Sequence, residues 1–143
     1  MARTFVDAVG VMASWINSRT GALTGPGNPL WLGAHLKRLG GGEPATYAFL
    51  EEQLSTVTPD SPENPDMAAT LTAQVYGGSR EAATIAAVAL AEEWSTQLEG
   101  REVLVADKGA IMYAADNIQG PTWLPDGVTP RLLVNVSVRM RPA

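Results

Sequence analysis

The sequence predicts an α+β domain in which one mostly antiparallel sheet of about four strands packs against two helices. Apolar residues recur at helical spacing in residues 3–19 and 80–98, and they alternate with polar residues in 67–76 and 131–140. The order is helix, strand pair, helix, strand pair. This order favours one sheet covered by both helices, with an α/β arrangement as the close competitor. The 143 residues fit a single domain spanning 1–143.

The N-terminal helix is predicted over residues 3–19. Its apolar residues repeat at i, i+4, i+7 and i+11, which places them in one stripe. These residues are Phe5, Val9, Met12 and Ile16. Thr4 is placed to cap this helix, with Asp7 three residues later in a loose form of the capping box, and Gly21 ends it.

The next segment is rich in glycine and proline. Residues 20–46 contain ten of these residues and are predicted to be mainly loop, with a short strand possible at 34–39. A first clear strand is predicted over 45–54. Residues 55–66 contain three prolines and three acids, which predicts a mobile acidic surface loop.

Ser79 is predicted to cap a second helix over 80–98, which Gly100 ends. One side of this helix is rich in alanine, which allows close packing on a sheet. The predicted buried stripe consists of Ala83, Ala86, Ala87, Leu90, Trp94 and Leu98. Ile85 and Val88 are expected to widen that stripe.

The C-terminal part of the chain is predicted to supply further strands. A short strand is possible at 103–106, and a better one is predicted at 110–118. A loop over 119–130 precedes the last strand, at 131–140. This last strand alternates strictly between two sets of residues, as expected for a strand with one buried face.

Charge is unevenly distributed along the chain, whose net charge is −5. Residues 43–66 contain six carboxylates and no base, whereas 127–143 contain three arginines and no acid. An acidic middle with basic ends disfavours tight binding to nucleic acid, which requires clustered Lys and Arg. The pattern is compatible with head-to-tail pairing of identical subunits, or with an ordinary solvated surface.

The sequence contains no pattern typical of catalysis or metal binding. It has no cysteine, which excludes disulfides, thiolate metal sites and cysteine nucleophiles. His35 is the only histidine and lies in the Gly-rich segment. Asp60, Glu63 and Asp66 lack the spacing of an EF-hand, and the glycines at 40–42 lack the G-K-[ST] of a phosphate loop. We therefore predict a protein that is not an enzyme and has no catalytic, cofactor or metal site.

The apolar segments are too short and too interrupted to predict a signal peptide or a transmembrane helix. We expect a soluble protein that is made and kept in the cytoplasm. Trp31 and Trp123 lie in predicted loops, where exposed aromatic side chains often mark protein contacts. The alternative for both tryptophans is that they close the ends of the core.

Three segments together resemble a known protein family. GALTGPGNPLWLGAHLKRL follows the first helix, YGGSREAATIAAVAL contains the second, and NIQGPTWLPDGVTPRLLVNVSVRMR ends in the terminal strand. The arrangement spans most of the chain and resembles the tail terminator, or tail completion, proteins of long-tailed bacteriophages. Residues 120–141 carry most of the likeness, and the 55–66 loop matches no pattern of the family.

The resemblance implies a virion structural protein that forms a ring, usually of six subunits (a hexamer), on the head-proximal end of the tail tube. Such a ring stops tube polymerisation, joins the tail to the head connector and lets DNA pass through its hole. The implied partners are further copies of the chain, the tail tube protein and the head–tail connector protein, without a membrane. The implied location is the virion tail, with assembly in the host cytoplasm. Another head–tail connector or neck protein is the nearest alternative, and a monomeric binding module is a more distant one.

Charge segregation assigns candidate residues within such a ring. A DNA channel should not hold phosphates, so acidic residues suit its lining. The candidate lining residues are Glu51, Glu52, Asp60, Glu63 and Asp66, and the acids of residues 79–126 are further candidates. The candidate contacts with a neighbouring subunit or with the tube are Arg131, Arg139, Arg141, Trp31 and Trp123.

Overall fold

The computed structural model describes residues 6–18, 31–33, 47–57 and 66–143, with the backbone alone at 17, 31–33, 47 and 54–57. Within these residues the chain forms two α-helices and six strands. The helices are α1 (Ala8–Asn17) and α2 (Arg80–Glu93). The strands are β1 (Trp31–Gly33), β2 (Tyr47–Val57), β3 (Met67–Tyr76), β4 (Val103–Val105), β5 (Ala110–Trp123) and β6 (Arg131–Pro142). The α+β class is confirmed.

The six strands form one sheet in the order β1-β2-β3-β6-β5-β4, rather than the expected four. Every neighbouring pair is antiparallel except β1 and β2, which run parallel. At the centre of the sheet, β3 and β6 pair without interruption from Met67 opposite Met140 to Tyr76 opposite Arg131. These are the two strands with the clearest alternation in the sequence, and both are confirmed.

The first helix is shorter than predicted and has a different cap. It begins at Ala8, and the side chain of Asp7 accepts a hydrogen bond from the backbone N–H of Gly10 at 3.1 Å. Asp7 is thus the N-cap residue, and the predicted cap Thr4 lies outside the described residues. A carboxylate caps a helix well because it satisfies a free N–H and interacts favourably with the helix dipole.

The second helix is confirmed over almost all of its predicted length. Ser79 accepts a hydrogen bond from the N–H of Ala82 at 3.1 Å, as a cap should. The helix is regular from Arg80 to Glu93 and continues as a π-helical turn from Trp94 to Leu98. All six residues of the predicted stripe are buried.

The expectation that Ile85 and Val88 widen this stripe is wrong. Ile85 is 61% exposed and Val88 is 38% exposed. At about 100° of rotation per residue, the two side chains lie roughly 140–200° from Ala83, on the opposite side of the helix. Their apolar character therefore contributes to the surface rather than to the core.

The core lies between the helices and one face of the sheet. We call this face the helix face, and its central residues are fully buried: Leu71, Ala73, Val75, Val134 and Val136. α2 packs on β3, β5 and β6, and α1 packs on β1 and β2. Met12 and Ile16 of α1 and Trp94 after α2 join the same cluster.

At the N-terminal side of the sheet, strands occupy parts of two segments that were predicted to be loop. β1 lies inside the 20–46 segment that was expected to be mainly loop, while the possible strand at 34–39 lies outside the described residues. β2 continues to Val57, so the predicted acidic loop cannot begin at 55. β-branched and hydroxyl residues at 55–57 suit a strand, and pairing with β3 decides their structure.

β5 is longer than predicted, and it contains bulges at regular intervals. It runs to Trp123, so the predicted 110–118 strand is too short and the 119–130 loop begins only at 124. Tyr113, Asp116, Gln119 and Thr122 lie opposite Arg139, Ser137, Asn135 and Leu133, which is three residues of β5 for every two of β6. Ala114, Asn117 and Gly120 have positive φ values of 51°, 51° and 100°. A period of three conceals the C-terminal part of this strand, residues 119–123, from a prediction based on alternation.

Candidate interaction surface

The face of the sheet opposite the helices carries most of the chemistry of the described residues. We call it the polar face. Its side chains come from alternate positions of β2, β3 and β6, because successive residues of a strand point to opposite faces. They are Glu51, Gln53, Ala68, Thr70, Thr72, Gln74, Arg131, Leu133, Asn135, Ser137 and Arg139. Most are half-buried.

Two hydrogen bonds between side chains of neighbouring strands occupy the centre of the polar face. Thr72 Oγ1 donates to Asn135 Oδ1 at 2.7 Å, and the Thr72 side chain is buried. The hydroxyls of Thr70 and Ser137 lie 3.4 Å apart. Polar groups that are already hydrogen-bonded within a chain can be buried under another molecule at a small cost in free energy, whereas burial of unpaired polar groups costs much more.

A network around Gln74 occupies one end of the polar face. Its amide nitrogen donates to Glu51 Oε2 at 2.9 Å, and its amide oxygen accepts from Arg131 at 3.1 Å. Arg131 also donates to the backbone oxygen of Leu124 at 2.9 Å and lies 6.0 Å from the ring centroid of Tyr76. Gln74 is therefore held between a carboxylate and a guanidinium.

Tyr76 extends this network to the turn before β6. Its hydroxyl lies 3.3 Å from both Gln74 Oε1 and Asp126 Oδ2, and its single proton can be donated to only one of them at a time. The Tyr76 ring meets Phe49 edge-to-face at a centroid distance of 6.2 Å. This pair forms a small buried cluster separate from the main core.

Two open grooves run over the polar face and share Thr70. The first has a volume of about 360 Å³ and is lined by Glu51, Gln53, Thr70, Thr72, Gln74, Arg131, Leu133 and Asn135. The second has a volume of about 240 Å³ and is lined mainly by small residues beside Arg139 and Asp116. We call the second the Arg139 groove. Together they make the polar face an extended surface of alternating hydroxyl, amide and charged groups.

The three arginines predicted as contact residues all lie on the polar-face side of β6, since 131, 139 and 141 share the same alternation. Their environments differ. Arg131 is held by Gln74, Leu124 and Tyr76. Arg141 pairs with Glu102 at 3.2 Å. Arg139 is exposed, and its guanidinium has no hydrogen bond or ion pair with residues 6–18, 31–33, 47–57 or 66–143.

Arg141 belongs to a second cluster at the opposite end of β6. Its guanidinium lies 5.0 Å from the ring centroid of Tyr113. Burial raises the pKa of the Tyr113 hydroxyl above its ordinary value, and a hydrogen bond with Asp66 raises it further. The neighbouring Arg141 opposes these effects. Asp66, predicted as a channel residue, is thus engaged with Tyr113 inside the subunit.

The tryptophan predictions have separate outcomes. Trp123 is half-buried against the main core, and Arg80 lies 4.5 Å from its ring centroid. This position matches the alternative in which the ring closes one end of the core. The backbone of Trp31 lies in β1 rather than in a loop, and its side chain is outside the described part of the structure.

The predicted acidic lining does not form one cluster in the described residues. Glu51 and Glu52 point to opposite faces, as expected, because Glu51 lies opposite Thr72 and Glu52 opposite Leu71. Glu51 is bound to Gln74, whereas Glu52 is exposed. Asp60 and Glu63 lie outside the described residues.

Sequence reasoning missed the polar face as a unit. The signal was present as Thr70, Thr72 and Gln74 in one strand and Asn135 and Ser137 in another, all at alternate positions. The alternation within each strand assigns these residues to one side of that strand but does not show which strands lie side by side. Only the pairing of β3 with β6 brings the two sets side by side.

In the described part of the chain, no three His, Asp or Glu side chains lie close enough to share a metal ion. No helix among the described residues has the length and apolar character needed to cross a membrane. A comparison of the chain with models of known protein families finds no match, and neither does a comparison with curated proteins.

Proposed function

We propose that this protein is a structural component of a bacteriophage virion, a tail terminator that assembles as a ring on the head-proximal end of the tail tube. In this role it is not an enzyme. It ends tube polymerisation and forms the joint to the head connector, with DNA passing through the ring. Six subunits are proposed because the family resemblance implies that number.

The observation that carries the proposal is the polar face. Both helices pack on the other side of the sheet, and side chains of three strands form a broad surface here. Its central hydroxyl and amide groups are paired with one another across the strands. A rigid surface whose polar groups are already paired is suited to being covered by another protein.

The exposed charges are consistent with the passage of DNA. Among the described residues, Glu52 is an exposed carboxylate that belongs to the acidic lining assigned from the sequence. An acidic ring interior repels phosphates and so allows the duplex to slide. We propose that Glu52 faces the channel, whereas Glu51 and Asp66, which the sequence also assigned to the lining, are engaged within the subunit by Gln74 and Tyr113.

Electron microscopy of the purified protein mixed with polymerised tail tubes tests the proposal. We expect a single ring-shaped density at one end of each tube and an arrest of tube growth when the protein is added early. Light scattering should detect association above the monomer mass of 15.1 kDa, in free solution or on the tube.

Two outcomes would contradict the terminator role. Binding to isolated head connectors without any binding to tube ends would favour a neck protein instead. A monomer that binds neither tubes nor connectors would favour a separate binding module. In both cases the fold and the polar face remain as described, and only their use changes.

A further inference from the structure

The solvent side of α2 carries a narrow stripe of exposed residues. Glu81, Ile85, Val88 and Glu92 are all exposed, and at about 100° per residue they fall within roughly 60° of arc. We call these four residues the outer stripe. Two aliphatic side chains occupy its centre and a carboxylate stands at each end.

The outer stripe and the polar face lie on opposite sides of the subunit. α2 packs its alanine side on the helix face of the sheet, so the outer stripe points away from the sheet. The polar face is the far side of that same sheet. Two different surfaces on opposite sides of one subunit are what a head-to-tail contact between identical copies requires.

The exposed charges of the two surfaces are complementary. The carboxylates of Glu81 and Glu92 have no hydrogen bond or ion pair with any part of the chain that the structure describes. The same is true of the Arg139 guanidinium. Asp116 lies on the β5 side of the Arg139 groove. Because its carboxylate repels another carboxylate, a glutamate of the partner approaches Arg139 more favourably from the β3 side. The complementary pair is therefore a glutamate of the outer stripe with Arg139.

The distance between residues of the outer stripe also matches the distance between residues of the polar face. The distance along the helix axis between Glu92 and Val88 is about 6 Å. From Arg139 to Ser137 along the strand is about 7 Å. With Glu92 at Arg139, Val88 lies above the paired hydroxyls of Thr70 and Ser137, beside Ala68 and Ala114. Small residues at that point leave room for an aliphatic side chain in the groove of about 240 Å³.

We propose that the outer stripe of one copy docks on the polar face of the next copy, with Glu92 against Arg139 and Val88 in the Arg139 groove. The inference rests on the proposed ring and identifies the surfaces that close it. The polar face together with β5, which supplies Ala114 and Asp116 to the Arg139 groove, spans four strands about 4.8 Å apart and about ten residues long and presents about 600 Å² of sheet face. This area approaches the roughly 800 Å² per partner that is usual for a stable interface.

Site-directed cross-linking tests the contact directly, because the chain has no cysteine of its own. Val88→Cys and Ser137→Cys are prepared as separate single variants, mixed, assembled with tail tubes and oxidised. We expect a covalent dimer in the mixture, with a peptide of α2 joined to a peptide of β6 in the mass spectrum. Neither variant alone should yield such a dimer.

The matched control replaces Val88→Cys by Val128→Cys. Val128 is fully exposed in the turn before β6 and is not part of the outer stripe. Its mixture with Ser137→Cys should give at least about tenfold less dimer, because a specific contact favours the proposed pair of residues over the control pair by that factor or more. Dimers formed by Ser137→Cys alone would mean that two polar faces meet each other, which overturns the proposal.

A charge exchange provides a second test. Arg139→Glu and Glu92→Arg should each lower the assembled fraction about tenfold or more, since like charges then face each other. The double variant should recover assembly, because its arginine on α2 meets its glutamate on β6 of the next copy. Lys108→Glu makes the same change of charge at an exposed site outside both surfaces and should leave assembly unchanged.

The outcomes separate this proposal from the terminator role. Rings on tube ends without the α2–β6 cross-link would overturn the docking surfaces and leave the function standing. The cross-link in free solution without binding to tubes would support the docking surfaces and overturn the function. Failure of the charge-exchanged double variant to recover, while both single variants unfold normally in urea, would also count against the contact.

Discussion

The carboxylate of Glu51 accepts a hydrogen bond from the side-chain amide of Gln74 at 2.9 Å, across the β2–β3 pair. On its other side, Gln74 accepts from Arg131 at 3.1 Å. A carboxylate only accepts and a guanidinium only donates, so the two charged neighbours fix the orientation of the amide. Gln74 thereby joins three strands of the polar face through one side chain.

Replacing Gln74 by glutamate should destabilise the protein. Gln74→Glu removes the donor to Glu51 and places a second carboxylate against it. We expect the free energy of unfolding, measured in urea, to fall by about 1–3 kcal/mol. Gln53→Glu adds the same charge to an exposed residue of β2 and should change it by no more than about 0.5 kcal/mol. Equal losses in the two variants would show that the charge and not the network is responsible.

Asp7 and Gly10 should be energetically coupled. Alanine in place of a helical glycine normally stabilises by about 0.5–1 kcal/mol. A Cβ at Gly10, however, would lie 2.5 Å from Asp7 Oδ2 and would displace the capping carboxylate. Since loss of a cap costs about 1 kcal/mol, Gly10→Ala should be nearly neutral in the natural sequence.

A double-mutant cycle measures this coupling. In the Asp7→Ala background the cap is already absent, so Gly10→Ala should recover its full stabilising effect of about 0.5–1 kcal/mol. Urea unfolding of the four proteins gives the interaction energy. The same effect of Gly10→Ala in both backgrounds would exclude the steric conflict as its cause.

Gly120 should tolerate alanine poorly. Its φ is +100°, and a Cβ there would lie 2.5 Å from the backbone oxygen of Leu133. Backbone on β6 cannot give way as a flexible side chain can. Gly127 also has a positive φ, of +60°, but a Cβ added there meets nothing within 4 Å.

The two glycine variants therefore distinguish the energetic cost of a steric clash from the cost of a positive φ alone. Gly127→Ala should lose only the conformational cost of about 1–2 kcal/mol. Gly120→Ala should lose about 2 kcal/mol more, because the β5–β6 pairing must also shift. Thermal and urea unfolding provide the comparison. A loss no larger than that of Gly127→Ala would mean that the bulged end of β5 yields easily.

The raised pKa of Tyr113 predicts a loss of stability in alkaline solution. Burial and the hydrogen bond with Asp66 favour the protonated hydroxyl in the folded state. Above the ordinary pKa of about 10, the unfolded chain releases this proton first. The free energy of unfolding therefore falls as the pH rises from there towards the folded-state pKa.

Tyr113→Phe isolates this contribution. The fall in unfolding free energy between pH 9 and pH 11, both about one unit from the ordinary value, should be smaller in the variant than in the natural protein. Absorbance titration of tyrosinate should lose one component whose pKa lies above the ordinary value of about 10 in the same variant. Asp66→Asn should lower the pKa of Tyr113. An identical alkaline profile for Tyr113→Phe would show that other groups cause the loss.

Local patterns in the sequence were sufficient for the elements whose periodicity is regular. The alternation of β3 and β6, the buried stripe of α2 and its Ser79 cap depend on spacing within one segment, and they were predicted correctly. β5 was predicted too short because its bulges replace a period of two by a period of three. That choice depends on its pairing with β6, which lies in another part of the chain.

What the sequence determined by itself is the α+β class, the buried stripe of α2 and the charge pattern of the chain. The tertiary structure alone decided which arginine of β6 is engaged and which is exposed. It also placed Ile85 and Val88 on the surface and joined Glu51, Gln74 and Arg131 in one network. The physical reason is that periodicity is a property of a single segment, whereas hydrogen-bond partners and exposure depend on which segments the fold brings together.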